Sequence, residues 1–270
     1  GPWARNLVDR QWVEEVTRSF GEESPFVQAR VHARFPRTVA SAVIPIDWIE
    51  QALDLESDPG RISLGVDVAA DGGDEFVVAE VDGLTGRILH ASRGNTSPVE
   101  VAGRVLEAML DAEARHAERG IKEPVRVKVD AIGVGWGVAG LLEEWGSDGR
   151  HSCEVIAVNV AQAADDRERF ANQRAEMWWA MREALQPDEQ DGQGLALDVD
   201  ARTVQQLAAP SYRSNATGRI LIEGKDDMAK RGVGSPDRAE ALLLALFEPP
   251  GPPEIPLVSP LSLTGQSGWI

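Results

Sequence analysis

The sequence predicts an α/β fold with a mixed sheet, in which three antiparallel strands are followed by parallel strands and helices cover both faces. Three short apolar segments joined by tight turns predict an antiparallel meander at residues 62–68, 76–81 and 88–91. After residue 97, helical patterns alternate with two further apolar segments. This alternation is typical of parallel strands that are joined by helical crossovers.

The segment before the meander is predicted to be helical. It contains three amphipathic patterns, at residues 9–20, 24–35 and 45–52, and no constellation of catalytic side chains. A proline-rich stretch follows the last predicted helix near the other end of the chain. We therefore expect three parts: a linker-like helical segment, an α/β domain and a flexible C-terminal tail, at residues 1–57, 58–248 and 249–270.

Helices and strands alternate through the rest of the predicted domain. Ser97 and Pro98 open a long helix that runs to about Gly120. The last helix is predicted at residues 235–247, with Ser235 as its N-cap and Pro236 at its first helical position. Between them the patterns predict strands at 125–130 and 154–159, a glycine-rich turn and helix from 133, helices at 165–185 and 200–209, a hairpin at 212–223 and a helical turn at 225–231.

Composition and charge argue against several classes of protein and of binding site. The net charge of -17 should repel nucleic acid unless basic residues cluster or cations intervene. Cys153 is the one cysteine, so no intrachain disulfide is possible, and we expect a reducing compartment. No apolar run approaches the length of a membrane span. The four histidines show no metal-ligand spacing, which argues against a zinc site.

Three acids stand at positions where ligands bind in α/β proteins. Asp67 lies inside the first apolar strand, Asp130 ends the fourth strand, and Asp237 opens the last helix. Each acid taken singly could equally cap a turn or a helix. Taken jointly, converging carboxylates repel and need cations, and their hard oxygen ligands suit Mg²⁺ or Mn²⁺. This combination favours a ribonuclease H-like site with two ions over three unrelated caps.

Four segments carry a resemblance to a known family. The chain resembles the nuclease domain of the large terminase subunit of tailed bacteriophages, which is ribonuclease H-like, through residues 65–74, 129–135, 170–178 and 225–241. The order and spacing of these segments together identify the family more specifically than any single segment does. The resemblance covers roughly residues 58–248. Residues 24–36 are similar to the family's link between its ATPase and nuclease halves. No Walker A motif occurs, so we expect the ATPase half to be missing.

The resemblance implies a hydrolase: a metal-dependent endonuclease that cleaves double-stranded DNA during genome packaging. Asp67, Asp130 and Asp237 match the family's metal-binding acids, and Asp67 would bridge two Mg²⁺ or Mn²⁺ ions. Asp74 is a candidate for a further ligand or an outer-shell acid. Lys225 is a candidate for contacting phosphate or balancing the carboxylates, although it equally suits a solvated surface. Asn172 is a candidate for orienting a neighbouring loop, although an exposed helical asparagine fits as well.

The resemblance also implies partners, and several alternatives stay open. The expected partners are double-stranded DNA, the phage portal and the small terminase subunit, in the cytoplasm of the infected bacterial host, with no membrane association. The full motor is compatible with a homo-oligomer. The alternatives are another ribonuclease H-like nuclease, such as a junction resolvase or transposase-like enzyme, a sugar-kinase-like or actin-like ATPase, and a non-catalytic docking module of the packaging motor. The ATPase alternative lacks the threonine of its phosphate loop.

Overall fold

The computed structural model describes residues 42–68, 74–94, 97–187 and 194–249, together with Thr17, which is helical. The predicted helix at 24–35, all of the predicted helix at 9–20 except Thr17, and the predicted tail from residue 250 lie outside the described residues. Within the described residues, no helix combines the length and the apolar character that crossing a bilayer requires.

A six-stranded mixed sheet organises the described residues. Its strands are β1 (Ile62–Asp67), β2 (Glu75–Asp82), β3 (Thr85–Arg93), β4 (Arg126–Asp130), β5 (Glu154–Val158) and β6 (Ala196–Asp198). Their spatial order is β5-β4-β1-β2-β3-β6. Strands β1, β2 and β3 pair antiparallel, whereas β4 is parallel to β1, β5 to β4 and β6 to β3. The predicted fold class is therefore confirmed.

Helices pack on both faces of this sheet. They are α1 (Ile46–Leu53), α2 (Pro98–Arg119), α3 (Val134–Ser147), α4 (Gln173–Ala184), α5 (Ala201–Ala208), α6 (Lys225–Lys230) and α7 (Asp237–Leu246). A separate hairpin consists of β7 (Tyr212–Ser214) and β8 (Ile220–Ile222). Helix α2 begins at its Ser97 cap and ends at Gly120, which has a positive φ of 70°. These bounds match the predicted long helix and hairpin.

The alternation of side chains along the central strands separates two apolar cores. Leu64 and Val66 of β1 face a core that they share with α2 and α3. Val77 and Ala79 of β2 face the opposite core, which contains Trp178 of α4 and much of α7. A period of two directs neighbouring residues of one strand to opposite faces. Asp67, which follows Val66, therefore belongs to the face that α7 covers.

Helix α7 packs unusually close to the middle of β1, and Gly65 makes this possible. A Cβ at Gly65 would lie 2.0 Å from the carbonyl oxygen of Ala241 and 2.3 Å from the backbone nitrogen of Ala245. Glycine, having no Cβ, leaves room for the helix backbone itself. The close contact brings the first turn of α7 to the end of β1.

The residues just before the sheet also belong to the packed structure. Val43, Ile44 and Ile49 are buried in the core that contains Trp178. The backbone N–H of Val43 donates to the carbonyl of Pro210 at 3.0 Å. The division of the chain at residue 57 stays a prediction, and residues 42–53 contribute to the core of the α/β fold.

Two local predictions were wrong, and one strand was not predicted. The helix expected from residue 165 begins only at Gln173, because the preceding segment pairs with the hairpin: the N–H of Ala171 donates to Ile220 at 2.9 Å. Strand β6 was not predicted, since three residues carry too little periodicity to be recognised. Helix α7 begins at Asp237 rather than beside a Ser235 cap, because the Ser235 hydroxyl donates to the Asp237 carboxylate.

Candidate active site

Asp67 is buried at the carboxyl end of β1, beneath α7. Its side chain is 5% exposed, and its Oδ2 atom has no hydrogen-bond partner among the described residues. Burial raises the pKa of this carboxyl well above its usual value, and Glu240, Asp237 and Asp130 raise it further, while Lys225 opposes them. A buried carboxylate in such surroundings needs a cation or a proton.

Asp130 ends the neighbouring parallel strand β4, where α3 starts. Its Oδ1 atom accepts a hydrogen bond from the N–H of Ile132 at 3.2 Å. Burial raises the pKa of Asp130 to about 6, against the lowering effect of that hydrogen bond. A Cβ at Gly135 would lie 1.7 Å from the carbonyl oxygen of Asp130, so the glycine allows α3 to begin directly against the strand end. The predicted glycine-rich turn is therefore part of this helix.

Asp237 is the first residue of α7 and is 3% exposed. Its Oδ2 atom accepts a hydrogen bond from the N–H of Glu75 at 2.9 Å, and Oδ1 accepts one from the hydroxyl of Ser235. The amino end of a helix also favours a negative charge. These contacts hold the Asp237 carboxylate in place on the same face of the sheet as Asp67.

Lys225, the first residue of α6, links the acids of this cluster. Its Nζ atom lies 2.9 Å from Oε2 of Glu240 and 3.5 Å from Oδ1 of Asp237. Burial alone would lower the pKa of Lys225, but the Glu240, Asp67 and Asp237 carboxylates raise it above its usual value. Lys225 is therefore a charged counter-ion of the acids with a side chain that is 42% exposed; charge balance and a place at the surface were two of the three interpretations considered for it from sequence.

Glu240 and Arg174 belong to the same cluster, and the sequence interpretation did not single out either of them for this site. Nε of Arg174 donates to Oε1 of Glu240 at 2.7 Å, and Nη1 donates to the carbonyl of Glu223 at 2.9 Å. Although burial acts against ionisation, Arg174 and Lys225 lower the pKa of Glu240 below its usual value. Asp237 and Glu240 are one helical turn apart, which places both on one face of the helix. This spacing is the sequence feature that could have identified Glu240 as part of the site.

The two remaining candidates lie close to this cluster in different ways. Asp74 is half-buried and directly precedes Glu75, whose N–H binds Asp237. Asn172 is the N-cap of α4, where its Oδ1 atom accepts from the N–H of Ala175 at 2.9 Å. Its visible role is therefore to start the helix that carries Arg174.

The structure thus brings four residues together in one cluster, namely Asp67, Asp237, Glu240 and Lys225. The charge of Asp130 also raises the pKa of Asp67. Among the described residues, the oxygens of Asp67, Asp130 and Asp237 do not all lie within 4.8 Å of one another. The acids come from the carboxyl ends of two adjacent strands and the start of a helix. This is an edge of the sheet that commonly forms binding sites in α/β proteins.

Solved structures with the same architecture have been found. The nuclease domain of the large terminase subunit gp2 of bacterial virus Sf6 aligns with a TM-score of 0.59 at 19% identity, over 77% of this chain and 100% of that chain. This chain has the fold of a terminase nuclease domain. Two mutant forms of the Sf6 domain, with manganese and with calcium, align with TM-scores of 0.58 at 18% and 19% identity and with the same coverage.

The other two comparisons gave no match. No protein-family model matches the sequence, and no curated protein matches it. The resemblance to terminase nucleases is therefore confirmed by the three-dimensional structure, at identities that establish the fold. Within the terminase nuclease fold, Asp67 and Asp130 end the adjacent central strands β1 and β4, and Asp237 opens the helix that crosses them.

Proposed function

We propose that this protein is a metal-dependent endonuclease that cuts double-stranded DNA during phage genome packaging, by two-metal-ion hydrolysis of a phosphodiester. The observation that carries the proposal is the buried Oδ2 atom of Asp67, which has no hydrogen-bond partner among the described residues and is surrounded by further carboxylates. The terminase nuclease fold supports this reaction class.

The residues present fit hard divalent cations. Asp67, Asp130 and Asp237 offer only carboxylate oxygens, which suit Mg²⁺ and Mn²⁺. Asp67, with its unpartnered oxygen, is the candidate to bridge two ions, while Asp130 and Asp237 would each hold one. Asp74 is a further candidate ligand. Bound divalent ions stabilise the charge on the attacking and leaving oxygens of a phosphodiester displacement.

The surrounding residues orient the acids and balance part of their charge. The N–H groups of Ile132 and Glu75 fix one oxygen each of Asp130 and Asp237. Lys225 offsets part of the negative charge of the cluster, and it lies 3.5 Å from Asp237. We propose that Lys225, in addition to balancing the charge of the acids, would contact a phosphate that approaches them.

The surface around the candidate site, where DNA would bind, is only weakly basic. Several arginines and lysines that could form a basic rim are engaged in ion pairs with acidic side chains, namely Arg169, Arg174, Lys225, Lys230 and Arg231. Ile132 and Trp136, which follow Asp130, are 45% and 64% exposed and provide apolar contact area beside the site. With a net charge of -17, we expect the isolated chain to bind DNA weakly.

Within a packaging motor, other components would hold the DNA. We propose the phage portal, the small terminase subunit and further copies of the large subunit as partners, in the cytoplasm of the infected bacterium. A non-catalytic docking module remains the second candidate, and metal-dependent cutting separates the two functions.

The test compares the original protein with Asp67→Asn and with Asp148→Asn, which makes the same chemical change at an exposed residue beyond the end of α3. Plasmid nicking with Mn²⁺ should fall by about 100-fold or more in Asp67→Asn, because several kcal/mol of transition-state stabilisation depend on the ions. Asp148→Asn should nick like the original protein.

A melting experiment with and without Mn²⁺ provides the second readout. Mn²⁺ should raise the melting temperature of the original protein and of Asp148→Asn, and much less that of Asp67→Asn, because a ligand stabilises the state that binds it. Undiminished nicking by Asp67→Asn would contradict the proposal, as would equal Mn²⁺ stabilisation of all three proteins.

A further inference from the structure

A second group of metal-ligating side chains lies away from the acids. It consists of Glu113 on α2 and of His151 and Cys153 in the segment that leads into β5. One ligand atom from each of these residues lies within 4.8 Å of the others, and this is the one such group of three among the described residues. The three side chains supply a carboxylate oxygen, an imidazole nitrogen and a sulfur.

His151 is held in the orientation that metal-binding histidines adopt. Its side chain is buried, and its Nε2 atom donates to the carbonyl oxygen of Leu142 at 2.8 Å. This bond makes Nδ1 the unprotonated nitrogen, which accepts a hydrogen bond from the N–H of Cys153 at 3.2 Å, so an ion bound at Nδ1 would replace that hydrogen bond. Ligating histidines usually donate their other ring N–H to a carbonyl or carboxylate in this way.

The ring position of His151 is also set by close packing. A Cβ at Gly146 would lie 2.9 Å from Cε1 of His151, so the glycine leaves the space that the imidazole fills. Glu113 is fixed as well, since its Oε1 atom accepts from both the N–H and the hydroxyl of Ser152, at 2.5 and 2.6 Å. Two of the three potential ligands, His151 and Glu113, are thus oriented by contacts with the chain.

Although the spacing of the histidines in the sequence argued against zinc, we propose that Glu113, His151 and Cys153, which meet in the fold, form a Zn²⁺ site that is separate from the nuclease acids. Zn²⁺ is bound by thiolate, imidazole and carboxylate, and it accepts three protein ligands plus a fourth ligand from solvent. The mixed set of soft and borderline ligands disfavours Mg²⁺, which prefers oxygen alone. On binding, a Zn–S bond forms, the S–H bond of Cys153 breaks and its proton goes to solvent.

The location of this site separates it from the nuclease acids. Cys153 directly precedes Glu154, the first residue of β5, whereas Asp130 pairs with Val158 at the opposite end of the parallel strands. Five strand residues span roughly 13 Å or more. A Zn²⁺ ion here would tie helix α2 to the start of β5, and it would not reach the nuclease acids.

Cobalt provides a direct test, because Co²⁺ replaces Zn²⁺ and a thiolate–Co²⁺ bond gives an intense near-ultraviolet band with visible d–d bands. Cys153 is the sole cysteine, so any such band within one chain reports on this residue. Metal-free protein titrated with Co²⁺ should develop the bands with a stoichiometry of one ion per chain, and Zn²⁺ should bleach them. The variant Asp67→Asn should behave identically, which separates this site from the nuclease acids.

Two variants complete the test, and each is first checked for an unchanged circular dichroism spectrum. Cys153→Ser should abolish the charge-transfer band. Glu113→Gln retains a carbonyl oxygen for the two Ser152 hydrogen bonds and should weaken Co²⁺ binding at least tenfold. The proposal is overturned if the original protein gives no thiolate band, if Cys153→Ser keeps it, or if Glu113→Gln binds Co²⁺ as tightly as the original protein.

Discussion

Two lysines in different surroundings, one of them 42% exposed and the other fully buried, show how the environment of a single residue sets its charge. Lys225 lies among carboxylates, and they raise its pKa above the usual value. Lys128 lies in the apolar interior with a side chain that is 0% exposed, and burial lowers its pKa to about 8. Both consequences follow from the balance between desolvation and nearby opposite charge.

The contribution of Lys225 can be measured in metal-free protein. Lys225→Gln should lower the unfolding free energy by about 1–2 kcal/mol, because charge-assisted contacts to Glu240 and Asp237 are lost. The same substitution made in Asp67→Asn should cost less, since one repelling carboxylate is already neutral. Denaturation of the four proteins in EDTA gives the coupling, which is expected at about 0.5 kcal/mol or more. Equal losses in both backgrounds would show that Lys225 does not balance Asp67.

Lys128 should make stability depend on alkaline pH. Its Nζ atom donates to the carbonyl oxygen of Ala245 at 3.0 Å and lies 3.3 Å from Glu248. Because the pKa of about 8 in the folded state is below the ordinary 10.5, the unfolded chain binds more protons between these values. The contribution of Lys128 to the unfolding free energy therefore rises with pH in this window.

The variant Lys128→Met removes this titration. Its unfolding free energy, relative to that of the original protein, should fall as the pH rises from about 8 to about 10. Urea denaturation at several pH values measures the difference. A difference that stays constant across the window would contradict the lowered pKa of Lys128.

At the scale of secondary-structure elements, the contact between β1 and α7 assembles the site. Strand β1 carries Asp67, and α7 carries Asp237 and Glu240 on its first turn. The two elements meet at Gly65, where only a residue without a side chain fits. A change at this glycine should therefore alter both stability and the relative positions of the acids.

Gly65→Ala should destabilise the protein by about 3 kcal/mol or more, because the new methyl group would overlap backbone atoms of Ala241 and Ala245. The matched control is Gly140→Ala, in α3, where a Cβ would have no atom within 4 Å. That substitution should stabilise by about 0.5–1 kcal/mol, through the better helix propensity of alanine. Thermal and chemical denaturation measure both effects.

Gly65→Ala should also reduce the stabilisation of the protein by Mn²⁺, because α7 must shift relative to β1. This readout is taken under conditions where the variant remains folded. Full retention of both stability and the Mn²⁺ effect would contradict the role assigned to Gly65.

The whole molecule is dominated by its negative charge. With a net charge of -17, repulsion between acidic groups acts against the compact state. Ion pairs offset part of this repulsion, as in the buried group of Glu80 and Asp82 with Arg115. Exposed pairs contribute little individually, so the overall repulsion should determine how the protein responds to salt.

Salt should therefore stabilise this protein. Raising NaCl from about 10 mM to about 150 mM shortens the Debye length from roughly 30 Å to roughly 8 Å and screens the long-range repulsion. We expect the melting temperature to rise by several degrees in EDTA, measured by circular dichroism. A melting temperature that falls with added NaCl would show that attractive ion pairs outweigh the repulsion.

Features of the chain that depend on short stretches of sequence were predicted correctly. The meander, α2 and the β7–β8 hairpin each form from residues that are close in the chain, so their periodicity and turn residues were sufficient. Asp67, Asp130 and Asp237 were recognised because each occupies the end of such a local element. Their roles as metal ligands remain predictions that the proposed experiments test.

Other features were decided by residues that are far apart in sequence. Strand β6 has only three residues and exists through its pairing with β3, and the residues before Asn172 follow the hairpin instead of forming a helix. The pairing of Arg174 with Glu240 and the approach of Glu113 to His151 also arise only on folding. Local patterns report how a segment buries its own apolar face, whereas charge pairing and ligand convergence depend on how distant elements pack together.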